Sequence, residues 1–155
     1  MIVLLDANVL LRLSDPTSAA HVIAISAISS LRAHGHTLHM IPQCVYEFWA
    51  VATRPIANNG LGLSSAECLR DVSNLKASFP ILDDKPALFT EWEAIVAVFS
   101  CQGKVAHDAR YVAAMRTHGL THLLTFNVTD FSRFSGLTGL DPRTVAVPVP
   151  PSSTP

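Results

Sequence analysis

The sequence predicts an α/β fold, with a central, mostly parallel sheet flanked by helices. Two patterns predict it. Short apolar stretches such as Ile2-Val3-Leu4-Leu5 end abruptly in polar residues, as strands buried on both faces do. Between them lie longer segments whose apolar residues recur every three or four positions, the spacing of a helix with one face on a core. Strands and helices alternating along one chain imply a layered α/β architecture. The bulk composition agrees, since 155 residues with 49% hydrophobic and 15% charged side chains suit one hydrophobic core and not a disordered chain.

Residues 2–5 are the first expected strand. Over 18–33, Ala20, Ile23, Ala27, Ile28 and Leu31 keep helical spacing, and His34-Gly35 stops the run. A second strand is expected at 37–41. Pro42 then suits a first helical turn, where its missing N–H costs nothing. That helix runs through Val45, Phe48, Trp49 and Ala52, and Arg54-Pro55 ends it. Asn58-Asn59-Gly60 marks a turn in the loop over 56–62. Ser64 is placed to cap the next helix, with Glu67 reaching back to it. Residues 79–82 read as a third strand, and Pro86 opens a helix through Leu88, Trp92, Ile95 and Phe99. After Gly103 a helix carries 106–116 and stops at His118-Gly119. Strands are expected at 120–125 and 144–147. One domain over 1–147 is therefore expected, followed by an extended, flexible Pro/Ser-rich tail at 148–155.

Net charge is −1, which excludes a protein that grips phosphates by bulk charge alone. Cys44, Cys68 and Cys101 form no Cys-x-x-Cys pair and support neither a zinc knuckle nor a disulfide framework. The apolar start meets Asp6 at once, without a basic leader, and no run approaches membrane-spanning length. A cytoplasmic protein is expected.

The informative acids sit where a purely structural protein has little use for them. Asp6 follows a wholly apolar strand, at the end of the sheet where ligands bind; it also suits a helix N-cap. Glu47 lies in a helix that is apolar almost all round, where it is either a solvated edge residue or part of a polar site. Asp108 falls between Val105 and Val112 on an apolar helix side, unless that helix starts later and Asp108 caps it. Asn127 and Asp130 follow the strand at 120–125, where both residue types also make turns. Carboxylates converging on one crevice repel one another unless a cation lies between them. Oxygen-only ligation points to Mg²⁺ or Mn²⁺ over zinc.

Leu4-Leu5-Asp6-Ala7-Asn8-Val9-Leu10 resembles the opening strand of PIN domains. Val105-Ala106-His107-Asp108-Ala109 resembles that family's third acidic motif, and the stretch from Leu123 to Phe131 its fourth. Glu47 matches the second acid by position. The resemblance runs from Met1 to about Val147 and is nearest to VapC-type toxins of bacterial toxin–antitoxin pairs. It implies a PIN-like three-layer fold and an Mg²⁺- or Mn²⁺-dependent endoribonuclease acting on RNA. It also implies a homodimer, held inactive by a cognate antitoxin protein. Asp6 and Asp108 would then be the principal metal ligands, with Glu47 and Asp130 completing the catalytic site. Asn8, Thr125 and Asn127 would hydrogen-bond and orient those acids. One departure stands out: some members carry the fourth acid two residues after the Thr, where this chain has Asn127, so Asp130 would serve instead.

Among the basic residues, Arg54, Lys104, Arg110, Arg116 and Arg133 are candidates for phosphate contacts, though most suit a solvated surface, and Arg110 lies nearest an acid in sequence. Phe126, Phe131 and Phe134 read as packing. The segments around Trp49 and Trp92 are candidates for an antitoxin groove. An aspartyl-nucleophile phosphatase would need an Asp where Asn8 stands. The remaining alternative is a catalytically inert PIN-like module that binds RNA or protein.

Overall fold

The computed structural model describes residues 1–145. Strands β1 (Ile2–Leu5), β2 (Thr37–His39), β3 (His122–Leu124) and β4 (Thr138–Leu140) form one parallel sheet in the order β2-β1-β3-β4. The helices are α1 (Ala7–Leu13), α2 (Ala20–Ala33), α3 (Pro42–Ala52), α4 (Ser65–Ser78), α5 (Leu88–Val98), α6 (Val105–Thr117), α7 (Val128–Phe131) and α8 (Pro142–Val145). Val3, Leu4 and Leu5 are each fully buried. Successive strand residues point to opposite faces, so helices cover the sheet on both sides and the three-layer α/β expectation holds. Among the described residues no helix is long and apolar enough to cross a membrane.

The strand order positions the site. From β1 the chain turns to one side for β2 and comes back on the other side for β3. The C-terminal ends of β1 and β3 therefore lie at a topological switch point, where open α/β sheets leave a crevice. The ladder continues one residue past β1, with the Asp6 N–H donating to the Leu124 carbonyl at 3.0 Å. The Cys44 thiol donates to the Leu5 carbonyl at 3.0 Å, tying the first turn of α3 to the end of β1. Glu47 follows one helical turn later. All three cysteines are free.

Local chemistry explains most boundaries. The Ser64 N–H donates to Glu67 Oε2 at 2.8 Å and the Glu67 N–H to Ser64 Oγ at 3.3 Å, the expected reciprocal cap of α4. Asn59 ends a short 3₁₀ turn in the left-handed region, as the Asn-Asn-Gly signal requires. Phe131 and Phe134 are buried, with Phe134 packed edge-on against Phe99 at 5.2 Å.

Three expectations need correction. Residues 79–82 make only an isolated bridge, Met40 with Ile81; Pro80 has no N–H to extend a ladder, and Asp83-Asp84 follow at once. The last strand is not at 144–147. Residues 142–145 are helical, with Pro142 at the first position, and 146–147 lie outside the described residues. The strand is instead Thr138–Leu140, whose central Gly139 hid it from a search for β-formers. A Cβ on Gly139 would stand 2.8 Å from Val128 Cγ1, so glycine lets α7 pack against β4. Helix α7 itself was expected as a turn. The tail at 148–155 lies outside the described residues.

Candidate active site

One cavity of about 310 Å³ at the switch point is lined by Asp6, Asn8, Glu47, Asp108, Asn127 and Asp130, together with Lys104, His107 and Tyr111. The four acids come from four elements: the end of β1, α3, α6 and α7. A larger apolar groove of about 570 Å³ runs along α5 past Leu88, Phe89 and Trp92, but no carboxylate lines it. Trp92 borders that groove and donates to the Ala106 carbonyl at 2.8 Å. Trp49 packs half-buried against the core.

Asp6 is 7% exposed and fixed from several sides. Its Oδ2 accepts from the Thr125 hydroxyl at 2.6 Å and from Asn8 Nδ2 at 2.7 Å. Its Oδ1 caps α1 by accepting a long bond from the Asn8 N–H, 3.4 Å. The two readings of Asp6 are thus compatible, since one oxygen is saturated and the other is lightly used. Burial lifts the Asp6 carboxyl to about 6, against the hydrogen bonds from Thr125 and Asn8, and the charges of Glu47 and Asp108 push the same way.

Thr125 and Asn8 have little freedom. The Thr125 hydroxyl, having donated to Asp6, accepts from Asn8 Nδ2 and from the Asn127 N–H, both at 3.0 Å. Asn8 Oδ1 accepts from the Phe126 N–H at 3.2 Å, which fixes the orientation of the amide. Asn127 caps α7 through its backbone and is among the residues that line the cavity.

Glu47 is not a solvated edge residue. Its Oε2 accepts from the Tyr111 hydroxyl at 3.1 Å and its Oε1 from Gln43 Nε2 at 2.7 Å. Both donors are buried. Tyr111 in turn accepts from the Ala7 N–H at 3.3 Å. Gln43 also donates to the His107 carbonyl at 3.0 Å and accepts from Arg110 Nη1 at 3.0 Å, while Arg110 is ion-paired with Asp84. Arg110 therefore braces Gln43 and does not line the carboxylate cavity.

Asp108 does not cap α6, which starts at Val105 with Lys104 before it. It is half-buried, and burial raises its carboxyl above the usual range. Lys104 opposes that shift, while Asp130 and Glu47 reinforce it. Asp130 pairs with Lys104 at 3.2 Å. Arg116 pairs with Glu91 at 3.1 Å, and Arg54 and Arg133 are exposed.

The donor set is hard oxygen, suited to Mg²⁺ or Mn²⁺. Among the described residues no group of three or more His, Cys, Asp or Glu side chains stands ready to enclose an ion. The four carboxylates lining the cavity supply oxygen donors of the kind a divalent ion takes, so the residues fit such an ion.

Sequence reasoning missed Gln43 and Tyr111. A signal existed for each: Gln43 stands one helical turn before Glu47, and Tyr111 three residues after Asp108.

The PIN domain family model matches residues 3–137. No curated protein matches the sequence. Among solved structures, VapBC2 from Rickettsia felis, bound to a DNA fragment from its promoter, superposes with a TM-score of 0.69 at 14% identity, covering 91% of this chain and 98% of that one. VapBC-1 from nontypeable Haemophilus influenzae gives 0.65 at 18% identity, covering 92% and 98%. Mycobacterium tuberculosis VapC20, a Sarcin-Ricin loop cleaving toxin, gives 0.55 at 17% identity, covering 79% and 87%. At these identities the likenesses speak for the fold. The family match spans three of the four strands, β1 to β3, and every acid of the cavity, and this chain belongs to the PIN domain family.

Proposed function

We propose that this chain is a divalent-metal-dependent endoribonuclease, using Mg²⁺ or Mn²⁺, and the toxin of a toxin–antitoxin pair. The observation that carries the reading is the cavity at the β1/β3 switch point, which Asp6, Glu47, Asp108 and Asp130 all line. A structural cavity gains nothing from four carboxylates lining it, whereas a cation site draws its oxygen ligands from them.

Hydrolysis of a phosphodiester forms a bond from a water oxygen to phosphorus, breaks the bond to the leaving ribose oxygen, and moves a proton from the water to the leaving group. A bound divalent ion supplies charge neutralisation on the phosphoryl oxygens and a more acidic water. Asp6 and Asp108 are assigned as its principal ligands, with Asp6 Oδ1 the freer oxygen. Glu47, gripped by Gln43 and Tyr111, holds one carboxylate geometry and orients the attacking water. Asp130 completes the acidic ring in the place of Asn127. Asn8 and Thr125 keep Asp6 in position.

The partner reading rests on likeness to solved toxin–antitoxin complexes. A cognate antitoxin protein would hold the enzyme inactive, and cellular RNA as substrate sets the work in the cytoplasm. A homodimer is proposed as well, because Tyr46 on α3 and Phe89 and Val98 on α5 expose large apolar surfaces. Light scattering of the purified chain tests that state.

The deciding experiment is cleavage of end-labelled single-stranded RNA by purified chain with Mn²⁺. Cleavage that stops with EDTA, and is lost in Asp6→Asn and Asp108→Asn, is expected. Equal rates in these variants would rule the assignment out, and intact RNA with every metal tried would favour an inert binding module.

A further inference from the structure

We propose that Lys104 is a resident cation of the carboxylate cavity: its ammonium holds Asp130 where a second divalent ion would otherwise sit. The cavity then takes one ion firmly at its Asp6–Asp108 end, and a second only by displacing Lys104. The inference rests on the metal-site reading above and concerns how many ions the site holds.

The geometry is polarised. Lys104 Nζ stands 3.2 Å from Asp130 Oδ2, and both residues line the same cavity as Asp6, Glu47 and Asp108. Lys104 directly precedes α6 and Asp130 lies in α7, so the pair joins two elements at the cavity wall. Asp6, by contrast, has no ion pair among the described residues, and its hydrogen bonds come only from Thr125 and Asn8. Of the four acids lining the cavity, Asp130 alone is held by a cation of the chain.

The Lys104 side chain is 73% exposed and that of Asp130 37%. An ion pair so open to water is weak, so Lys104 can be expelled at high metal concentration. It also repels a nearby dication while in place. Once released, the ammonium remains at the mouth of the cavity, where a substrate phosphate would have to enter.

The test is an Mn²⁺ titration of the full chain, by calorimetry and by the electron paramagnetic resonance of free Mn²⁺, in wild type, Lys104→Met and Lys104→Arg. Wild type should bind one ion strongly and a second weakly. Lys104→Met should tighten the second binding step several-fold to about tenfold, the size expected for removing one exposed charge beside a dication. Lys104→Arg should behave as wild type. Exposure of the side chain makes misfolding of these variants an unimportant concern, and circular dichroism checks it. Unchanged stoichiometry and affinities in Lys104→Met overturn the inference, as do two equally tight ions in wild type; either leaves the metal reading standing. No Mn²⁺ bound by any of the three proteins overturns both.

Discussion

The Thr125 hydroxyl donates to Asp6 Oδ2 at 2.6 Å across the gap between β3 and β1. Because the same hydroxyl accepts from Asn8 and Asn127, its only proton must go to Asp6. Thr125→Val keeps the shape and removes the donor. It leaves the buried Asp6 carboxylate without its shortest donor, which costs about 1–3 kcal/mol. Urea unfolding at pH 7.5 should show a loss of about that size, and the Asp6 carboxyl should move still higher, because Thr125 holds it down. A variant as stable as wild type would show that the bond contributes nothing.

Gln43 is a positioning residue for Glu47. Replacing it with Leu removes the 2.7 Å bond to Glu47 Oε1 and the bonds to the His107 carbonyl and Arg110, which keeps only its ion pair with Asp84. If Glu47 orients the water, the loss should fall on kcat, by roughly 10- to 100-fold, the cost typical of removing a residue that orients a metal-site ligand. KM should change little. Gln43→Glu keeps an acceptor for Arg110 but sets a carboxylate against Glu47, and should be at least as impaired. A change confined to KM would place Gln43 in substrate binding instead.

A site that binds metal must stabilise the fold. Saturating Mn²⁺ at about a hundredfold over its Kd should add roughly 2.7 kcal/mol to unfolding. Differential scanning calorimetry should show a Tm increase in wild type that is strongly reduced in Asp108→Asn. Equal increases in the two proteins would put the ion elsewhere.

How far these features were legible in the sequence depended on how local their causes are. Strand β1 and Asp6 were visible because an apolar run stops at a carboxylate within one residue. The cap of α4 was visible because Ser64 and Glu67 satisfy each other. Strand β4 was not, since Thr138-Gly139-Leu140 owes its conformation to pairing with β3 and to Val128 packing above Gly139. Gln43 was legible only as a neighbour of Glu47 one helical turn on; its burial and its partners His107 and Arg110, distant in sequence, come from the fold. Lys104 could be named as a cation, but only the fold brings it to Asp130.

Gly139 therefore gives a prediction about the site from a residue outside it. Gly139→Ala sets a Cβ 2.8 Å from Val128 Cγ1, and β-branched Val128 has little rotamer freedom with which to yield. Overpacking of this kind costs about 1–3 kcal/mol. The strain falls at the start of α7, which carries Asp130, so Mn²⁺ affinity should drop along with stability. The double variant Gly139→Ala/Val128→Ala should recover both. Failure of the second change to restore either would mean that α7 and β4 do not press on each other there.

The pH dependence of stability follows from Asp6. Its carboxyl titrates at about 6 in the fold against a reference of 3.8, so between those values the native state holds a proton that the unfolded chain has lost. Stability must fall as pH rises through that window, with the whole cost present above about 6. A displacement of that size sets a ceiling of roughly 3 kcal/mol. The raised Asp108 carboxyl acts in the same direction. In chelator, Asp6→Asn should therefore be more stable than wild type at pH 8, by about 1–3 kcal/mol, and the two should converge below about pH 4. The opposite is expected of function, because the charge that burdens the empty fold is the charge a dication needs. Added Mn²⁺ should erase the advantage of the variant at pH 8. Parallel stability curves from pH 4 to 8 would mean that Asp6 ionises in the fold as it does in water, and that no uncompensated charge waits there for an ion.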